Sequence, residues 1–232
     1  MKLLLTGGAG FIGSHTALLL LQRGYDVIIY DSFVNSSYKV IKAIKSYLDA
    51  DGIDYKLKTI KGDIRDKSSL DKIFKDSIKE GNAIHAVIHF AGLKSVSESV
   101  KYPLKYWDVN VCGTKNLLEI MKDNECYSIV FSSSATIYGL TNSVPISEDQ
   151  NVSPINPYGK TKVAIENMLC DLFKSDMNIW KICSLRYFNP VGAHPSGLIG
   201  EDPVGTPNNL FPFLTQVAIG RQKLLNIYGN DW

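Results

Sequence analysis

The sequence predicts an α/β fold: a doubly wound parallel sheet with helices on both faces. Three observations predict it. Short apolar runs at Lys2–Leu5, Val27–Tyr30, Ala86–Phe90, Ser128–Phe131 and Lys181–Leu185 are continuous rather than alternating, as in strands covered on both sides. Between them lie stretches of helical period. Leu117, Leu118, Ile120 and Met121 gather on one, while Ile165, Met168, Leu169, Leu172 and Phe173 recur at three- and four-residue intervals on another. Strands and helices alternate, as crossover connections in a parallel sheet require.

The first strand runs into Thr6-Gly7-Gly8-Ala9-Gly10-Phe11-Ile12-Gly13, and a helix follows. Gly7, Gly10 and Gly13 let the chain turn tightly, let a pyrophosphate approach the backbone amides, and let helix pack on strand. The phosphates would sit at the helix amino terminus, where free N–H groups and the helix dipole favour an anion. The second strand ends at Asp31, 18 residues after Gly13. A carboxylate there accepts hydrogen bonds from the adenosine ribose diol and repels a 2′-phosphate, which favours NAD over NADP. The competing reading of Asp31 is a solvated carboxylate at a strand end. The combination points to a Rossmann-type nucleotide-binding fold.

Later strand ends add candidates. Gly62-Asp63-Ile64 would place Asp63 beside an adenine, although Asp after Gly is also a common turn. Phe90-Ala91-Gly92-Leu93-Lys94 closes the fourth strand with small residues where backbone must approach the dinucleotide. Ligands of open α/β sheets bind outside the carboxyl ends of the strands. A hydroxyl cluster, Ser132-Ser133-Ser134-Ala135-Thr136, follows the fifth strand, and Asn156-Pro157-Tyr158-Gly159-Lys160-Thr161-Lys162 comes next. Tyr158 and Lys162 are four residues apart, on one face of a helix. A phenol titrates near ~10, and a neighbouring ammonium lowers that value, so the pair reads as a general acid/base acting on an alcohol. The bland reading is a packed tyrosine ring beside a solvated lysine, with Ser134 as a backbone-capping hydroxyl.

After Asn189 the composition changes. Pro190, Gly192, Pro195, Gly197, Gly200, Pro203, Gly205, Pro207 and Pro212 crowd 23 residues, with helical periodicity returning only at Leu210–Ile219. Residues 1–188 are expected to form an NAD-binding domain, and residues 189–232 the start of a smaller substrate-binding lobe, apparently incomplete. A packed surface loop is the alternative for the Pro/Gly-rich stretch.

The chain has 232 residues, an apolar fraction of 45% and a net charge of +2. That charge is too small to suggest nucleic acid or a membrane surface as partner, and no apolar run is long enough to span a bilayer. The apolar start at Met1–Leu5 ends at Thr6-Gly7-Gly8, short of a signal peptide, so the expected setting is cytoplasmic. Cys112, Cys126, Cys170 and Cys183 show no paired spacing and read as buried, reduced thiols. His85 and His89 lie on a strand, not a helix, so no metal site is expected.

These motifs resemble the extended short-chain dehydrogenase/reductase family, and within it the nucleotide-sugar 4-epimerase branch. The likeness runs through Thr6–His15, His89–Glu98, Ser132–Gly139, Pro157–Lys162 and the branch-specific Arg186–Gly197 stretch. The resemblance implies that Ser134, Tyr158 and Lys162 are catalytic. It places Asp31, Ser32, Asn35, Ser36, Asp63, Ile64, Phe90, Lys94 and Phe188 against the NAD cofactor. It places Lys94, Ser134, Thr136, Tyr158, Asn189, Asn209, Leu210, Asn226 and Tyr228 against a UDP-hexose, UDP-galactose or UDP-glucose. Tyr228 reads equally well as a core aromatic. Related dehydratases carry Asp-Glu after the hydroxyl cluster; here Ala135 and Thr136 cannot transfer protons that way, which disfavours water elimination.

Two departures stand out. Val109-Asn110 replaces the family's Asn-Asn, and family members continue for roughly another domain-half, a part that includes a phosphate-binding arginine. The implied reaction is transient oxidation at sugar C4 with no net redox change. A dehydrogenase of the same scaffold and an inactive cofactor-binding module are the competing readings. A homodimer is expected through the apolar faces of the helices carrying Leu117 and Met168.

Overall fold

The computed structural model describes residues 1–141, 144–203, 205, 207, 209–227 and 229. β1 (Lys2–Thr6) leads through the glycine turn into α1 (Phe11–Gln22), β2 (Asp26–Asp31) into α2 (Tyr38–Ala50), and β3 (Leu57–Lys61) into α3 (Lys67–Lys79). β4 (Ile84–His89) is followed by α4 (Val96–Lys101), α5 (Pro103–Tyr106), a π-helical turn at Trp107–Cys112 and α6 (Gly113–Asp123). Then come β5 (Ser128–Ser134), a 3₁₀ turn (Ala135–Tyr138), α7 (Pro157–Ser175), β6 (Lys181–Tyr187) and α8 (Leu210–Ala218). The strands are parallel, in the order β3–β2–β1–β4–β5–β6. The order reverses between β1 and β4, and the crevice at their carboxyl ends is where such sheets bind ligands.

Side chains alternate between two cores, as period-2 strands dictate. On one face Leu4, Ile28, Val87, Ile129 and Phe131 pack against α3, α6 and α7. On the other, Leu3, Leu5, Val27 and Ile29 pack against α1 and α2. Helix starts are marked in the sequence. Ser37 caps α2, Asp66 caps α3 and Asn156 caps α7, the last accepting from Gly159 N at 2.8 Å.

The expected strands are all present, and the structure corrects three expectations. β3 lies at the sheet edge with only half-buried side chains, so no continuous apolar run marks it. β6 is mostly exposed although its sequence is continuous, because the α1/α2 core takes side chains from β1, β2 and β4 and none from β5 or β6. The same openness exposes Cys183; Cys112 and Cys170 are exposed on helices, and only Cys126 is buried as expected of all four, with all four thiols free. The α6 apolar face is not in surplus. Leu117, Leu118, Ile120 and Met121 are all buried against the sheet and α3; on α7, Met168 and Leu172 pack half-buried on the same core while Phe173 is exposed, as are Val96, Val100 and Leu104 on α4 and α5. Among the described residues, no helix is long and apolar enough to cross a membrane, and no group of His, Cys, Asp and Glu could hold a metal.

Leu117 is 0% exposed and Met177 65% exposed. Urea unfolding should therefore show Leu117→Ala losing about 2–5 kcal/mol, and Met177→Ala changing stability by less than about 0.5 kcal/mol.

Candidate active site

The glycine turn is held by close backbone approach. Gly7 sits at φ 69°, and a Cβ there would lie 2.5 Å from Ala91 N. A Cβ on Gly13 would meet Gly7 O at 2.7 Å. Gly10 is different: its Cβ would meet only Gly7 O, at 3.3 Å, and otherwise open space. α1 begins directly after it, with no side-chain cap and no acidic residue in its first turn. The amides around Phe11, Ile12 and Gly13 are thus open to an anion, and this open cradle fits a pyrophosphate.

Asp31 is buried at the end of β2 and does more than face a ribose. Its Oδ2 accepts from Ala9 N at 2.9 Å, and its Oδ1 from Phe33 N at 2.8 Å and Ser36 Oγ at 2.9 Å. It therefore ties the glycine turn to the loop carrying Ser32 and Asn35, which are exposed. Phe33, at φ 57°, completes that loop by stacking on Tyr38 at 3.9 Å. Asp63 is gripped by its neighbour: Arg65 donates to both carboxylate oxygens, at 2.9 and 2.7 Å, and also reaches Asp108 at 2.7 Å. The guanidinium holds the Asp63 carboxyl below the usual carboxylate range. An adenine amino group at Asp63 would have to share it with Arg65. Ile64 is buried beneath.

At the other end of the crevice, Tyr158 and Lys162 lie in the first turns of α7, and Ser134 ends β5. Lys162 is 5% exposed. Its Nζ donates to Ser132 O at 2.7 Å and lies 4.8 Å from the Phe131 ring centre and 5.7 Å from that of Tyr158. Burial pushes its ammonium down to about 8, against the pull of the Glu166 carboxylate. Ser134 Oγ accepts from Thr136 N at 3.2 Å and Thr136 Oγ1 at 3.0 Å. The Tyr158 phenol departs from expectation. Burial raises it, the Ser134 hydroxyl pulls it back, and the Lys162 charge is not among the causes. The ammonium points at a strand carbonyl rather than at the phenol.

Two residues to which the sequence assigns no role at this site brace it. Asn110 exchanges hydrogen bonds with Leu93, 2.8 Å to its N and 3.1 Å to its O, and reaches Thr161 Oγ1 at 3.2 Å. It thereby fastens the loop after β4, with Ala91 and Gly92, to α7. His89 is sealed between Thr6 Oγ1 at 2.6 Å and Thr114 Oγ1 at 2.8 Å, and burial drives its imidazole down to about 3. A motif of two hydroxyl partners and one buried imidazole has no sequence signature.

The candidate substrate residues are only partly gathered. Lys94 Nζ and Asn209 Nδ2 meet at Glu201 Oε1, at 3.4 and 2.8 Å, so the fourth strand's end and the start of α8 share one carboxylate. Phe188 is 59% exposed, and Asn189, Leu210 and Asn226 are exposed as well. Tyr228 lies outside the described residues.

The reversed strand order, the open glycine turn at the start of α1 and the switch-point crevice define a Rossmann-type α/β protein, with Ser134, Tyr158 and Lys162 grouped at the end of β5. The chain belongs to the family described as GDP-mannose 4,6 dehydratase, whose profile matches residues 4–231. It is 52% identical to UDP-glucose 4-epimerase 1 of Oryza sativa over 232 residues, covering 99% of this chain and 63% of that protein. It is 50% identical to the UDP-glucose 4-epimerase of Dictyostelium discoideum, covering 100% of this chain and 64% of that protein. Among solved structures, the UDP-glucose 4-epimerase of Bifidobacterium longum, in complex with NAD+ and UDP, matches with a TM-score of 0.91 and 44% identity. That match covers 100% of this chain and 66% of that one. The chain thus spans about two thirds of the length of the relatives it matches.

His89 supplies a pH test. Its folded value is depressed below the ordinary imidazole value of 6.5, so in acid the unfolded chain binds a proton that the native chain refuses. The stability tied to the neutral imidazole is present above about 6.5 and is lost as pH falls toward about 3. Denaturant titrations from pH 7 to pH 4 should show a steeper acid loss for the native chain than for His89→Gln.

Proposed function

We propose that this chain carries the cofactor-binding and catalytic part of a UDP-glucose 4-epimerase, interconverting UDP-galactose and UDP-glucose with NAD as resident cofactor. The observation that carries the reading is Tyr158 and Lys162 one helical turn apart, with Ser134 against the phenol, at the carboxyl end of β5. The names of the relatives support the sugar and the cofactor. NAD held in this crevice would supply a reversible hydride acceptor for sugar C4.

Tyr158 takes the proton of the 4-hydroxyl, directly or through Ser134, and gives it back. The Ser134 hydroxyl pulls the phenol back toward phenolate against the upward push of burial, while Lys162, its ammonium anchored on the Ser132 carbonyl, would hold the nicotinamide ribose hydroxyls. Gly7, Gly10 and Gly13 with the α1 amides would hold the pyrophosphate; Asp31 and Ser36 would hold the ribose, and Phe90, Ala91 and Gly92 would line the crevice. Lys94, Thr136, Asn189, Asn209, Leu210, Asn226 and Tyr228 are assigned to the UDP-hexose. Residues 1–188 form the NAD-binding domain in this reading, and residues 189–232 begin the substrate lobe. Ala135 and Thr136 in the 3₁₀ turn lack the acid pair that water elimination needs. A cytoplasmic setting belongs to the proposal.

Purified chain incubated with UDP-galactose and no added NAD should yield UDP-glucose by chromatography. Tyr158→Phe should lower the rate by about 10²–10⁴-fold. NADH accumulating in step with product would replace this reading with a dehydrogenase, and bound NAD without turnover would reduce it to a binding module.

The reading includes a homodimer. Of the two helices first considered, the α6 residues are buried, so its support is the exposed Phe173 on α7 together with the exposed Val96, Val100 and Leu104 on α4 and α5. Light scattering behind size exclusion should give a dimer mass for the native chain and a monomer mass for Leu104→Glu; a native monomer at micromolar concentration removes this part.

A further inference from the structure

We infer that Glu166 is a positioning residue for Tyr158 and Lys162: clamped by Arg186 and Ser133, it fixes a negative charge one helical turn beyond the ammonium and steadies the strand that receives it. The inference rests on the acid/base reading of that pair. Glu166 follows Lys162 by four residues on α7, and so shares its face. Its Oε1 accepts from Ser133 Oγ at 2.5 Å and from Arg186 Nε at 3.2 Å, and its Oε2 from Arg186 Nη2 at 2.8 Å. Ser133 and Arg186 are register partners on β5 and β6, so both strands offer their donors to one carboxylate.

Ser133 stands between the two residues that matter most to the pair. The carbonyl of Ser132 takes the Lys162 ammonium at 2.7 Å, and Ser134 faces the phenol. Holding Ser133 therefore sets both neighbours. Arg186 extends the clamp, since its Nη1 reaches Tyr138 OH at 2.9 Å and Glu148 O at 2.6 Å, pinning the turn after β5. The ion pair is also drier than a surface bridge, with side-chain exposures of 25% for Arg186 and 14% for Glu166.

The groups facing the ammonium come from three elements. They are Tyr158 and Glu166 on its own helix, the Ser132 carbonyl and Phe131 ring on β5, and the neutral imidazole of His89 on β4. Among them Glu166 is the one that carries a negative charge. Without it the Lys162 proton would be held by a carbonyl and a ring face against the full cost of burial.

A lysine titration reads this directly. The chain, labelled with ¹³C at lysine Cε and free of substrate and cofactor, is followed by NMR across the alkaline range, with Lys162→Arg identifying the Lys162 signal. The native midpoint is expected near 8, apart from surface lysines near ~10.4. Glu166→Gln should lower it by about one pH unit or more, and Glu166→Asp, which keeps the charge, should restore most of the drop. An unchanged midpoint in Glu166→Gln overturns the inference. If that variant leaves Arg186 unpaired and fails to fold, Glu166→Gln combined with Arg186→Met removes both charges; a smaller fall is expected, because the Arg186 repulsion goes too, and no fall overturns the inference. The titration needs no turnover, so its outcome is separate from whether the chain epimerises UDP-galactose.

Discussion

A lysine ammonium held almost out of water is the constraint on which the catalytic half of the molecule turns. Removing a charge from solvent costs several kcal/mol unless polar partners replace the water. Lys162 meets that cost with a carbonyl from β5, an aromatic face one residue earlier, and a carboxylate one helical turn away. Those partners come from different segments, so the ammonium can be accommodated only when β5, β6 and α7 are already docked. The site is in this sense a product of tertiary packing, and the serine run that looks like a simple hydroxyl cluster is also the carbonyl track for the lysine.

A second constraint works at the other end of the crevice. Gly7 approaches the Phe90–Ala91 backbone so closely that no side chain fits between them, and Asp31 draws the glycine turn onto the end of β2. These contacts bring the ends of β1, β2 and β4 to one place. Asn110 then links the Leu93 backbone to Thr161 on α7. The cofactor end and the acid/base end are joined through one buried amide, which requires the π-helical turn on which Asn110 sits. A one-residue widening of the helix aims that amide at both partners.

The fold was legible because its signals are local. Continuous apolar strands, helical periods, a three-glycine turn and a four-residue Tyr–Lys spacing are each read from a short window. What the sequence hid is non-local. β3 is an edge strand without a continuous run; the exposure of Cys183 follows from what lies over β6; the clamp on Asp63 comes from a neighbour, Arg65, that reads as an ordinary surface cation. The tyrosine is the instructive case. Spacing correctly puts Lys162 on its face of the helix, but spacing carries no orientation, and the ammonium spends its hydrogen bond on Ser132 while burial raises the phenol. Proximity of charge is a sequence property; direction and desolvation are not.

The Pro/Gly-rich stretch after β6 makes sense by the same reasoning. β6 lies at one edge of the sheet, yet Ile199 is buried in the core under α1 and α2, and His194 meets the Tyr47 ring edge-on at 4.8 Å. The chain therefore travels back past β5, β4 and β1, with neighbouring strands about 4.8 Å apart, and touches down near the end of β4 where Glu201 accepts from Lys94. A segment on that route has no strand to pair with, so it must satisfy its backbone by turns, such as His194 N to Ile199 O at 2.8 Å. Prolines cost nothing where no ladder needs their missing N–H, and glycines supply the reversals. Composition that reads as a loop is here the consequence of crossing from the β6 edge back to the α1/α2 side of the sheet beside the crevice, which is what brings Glu201 and Asn209 to Lys94.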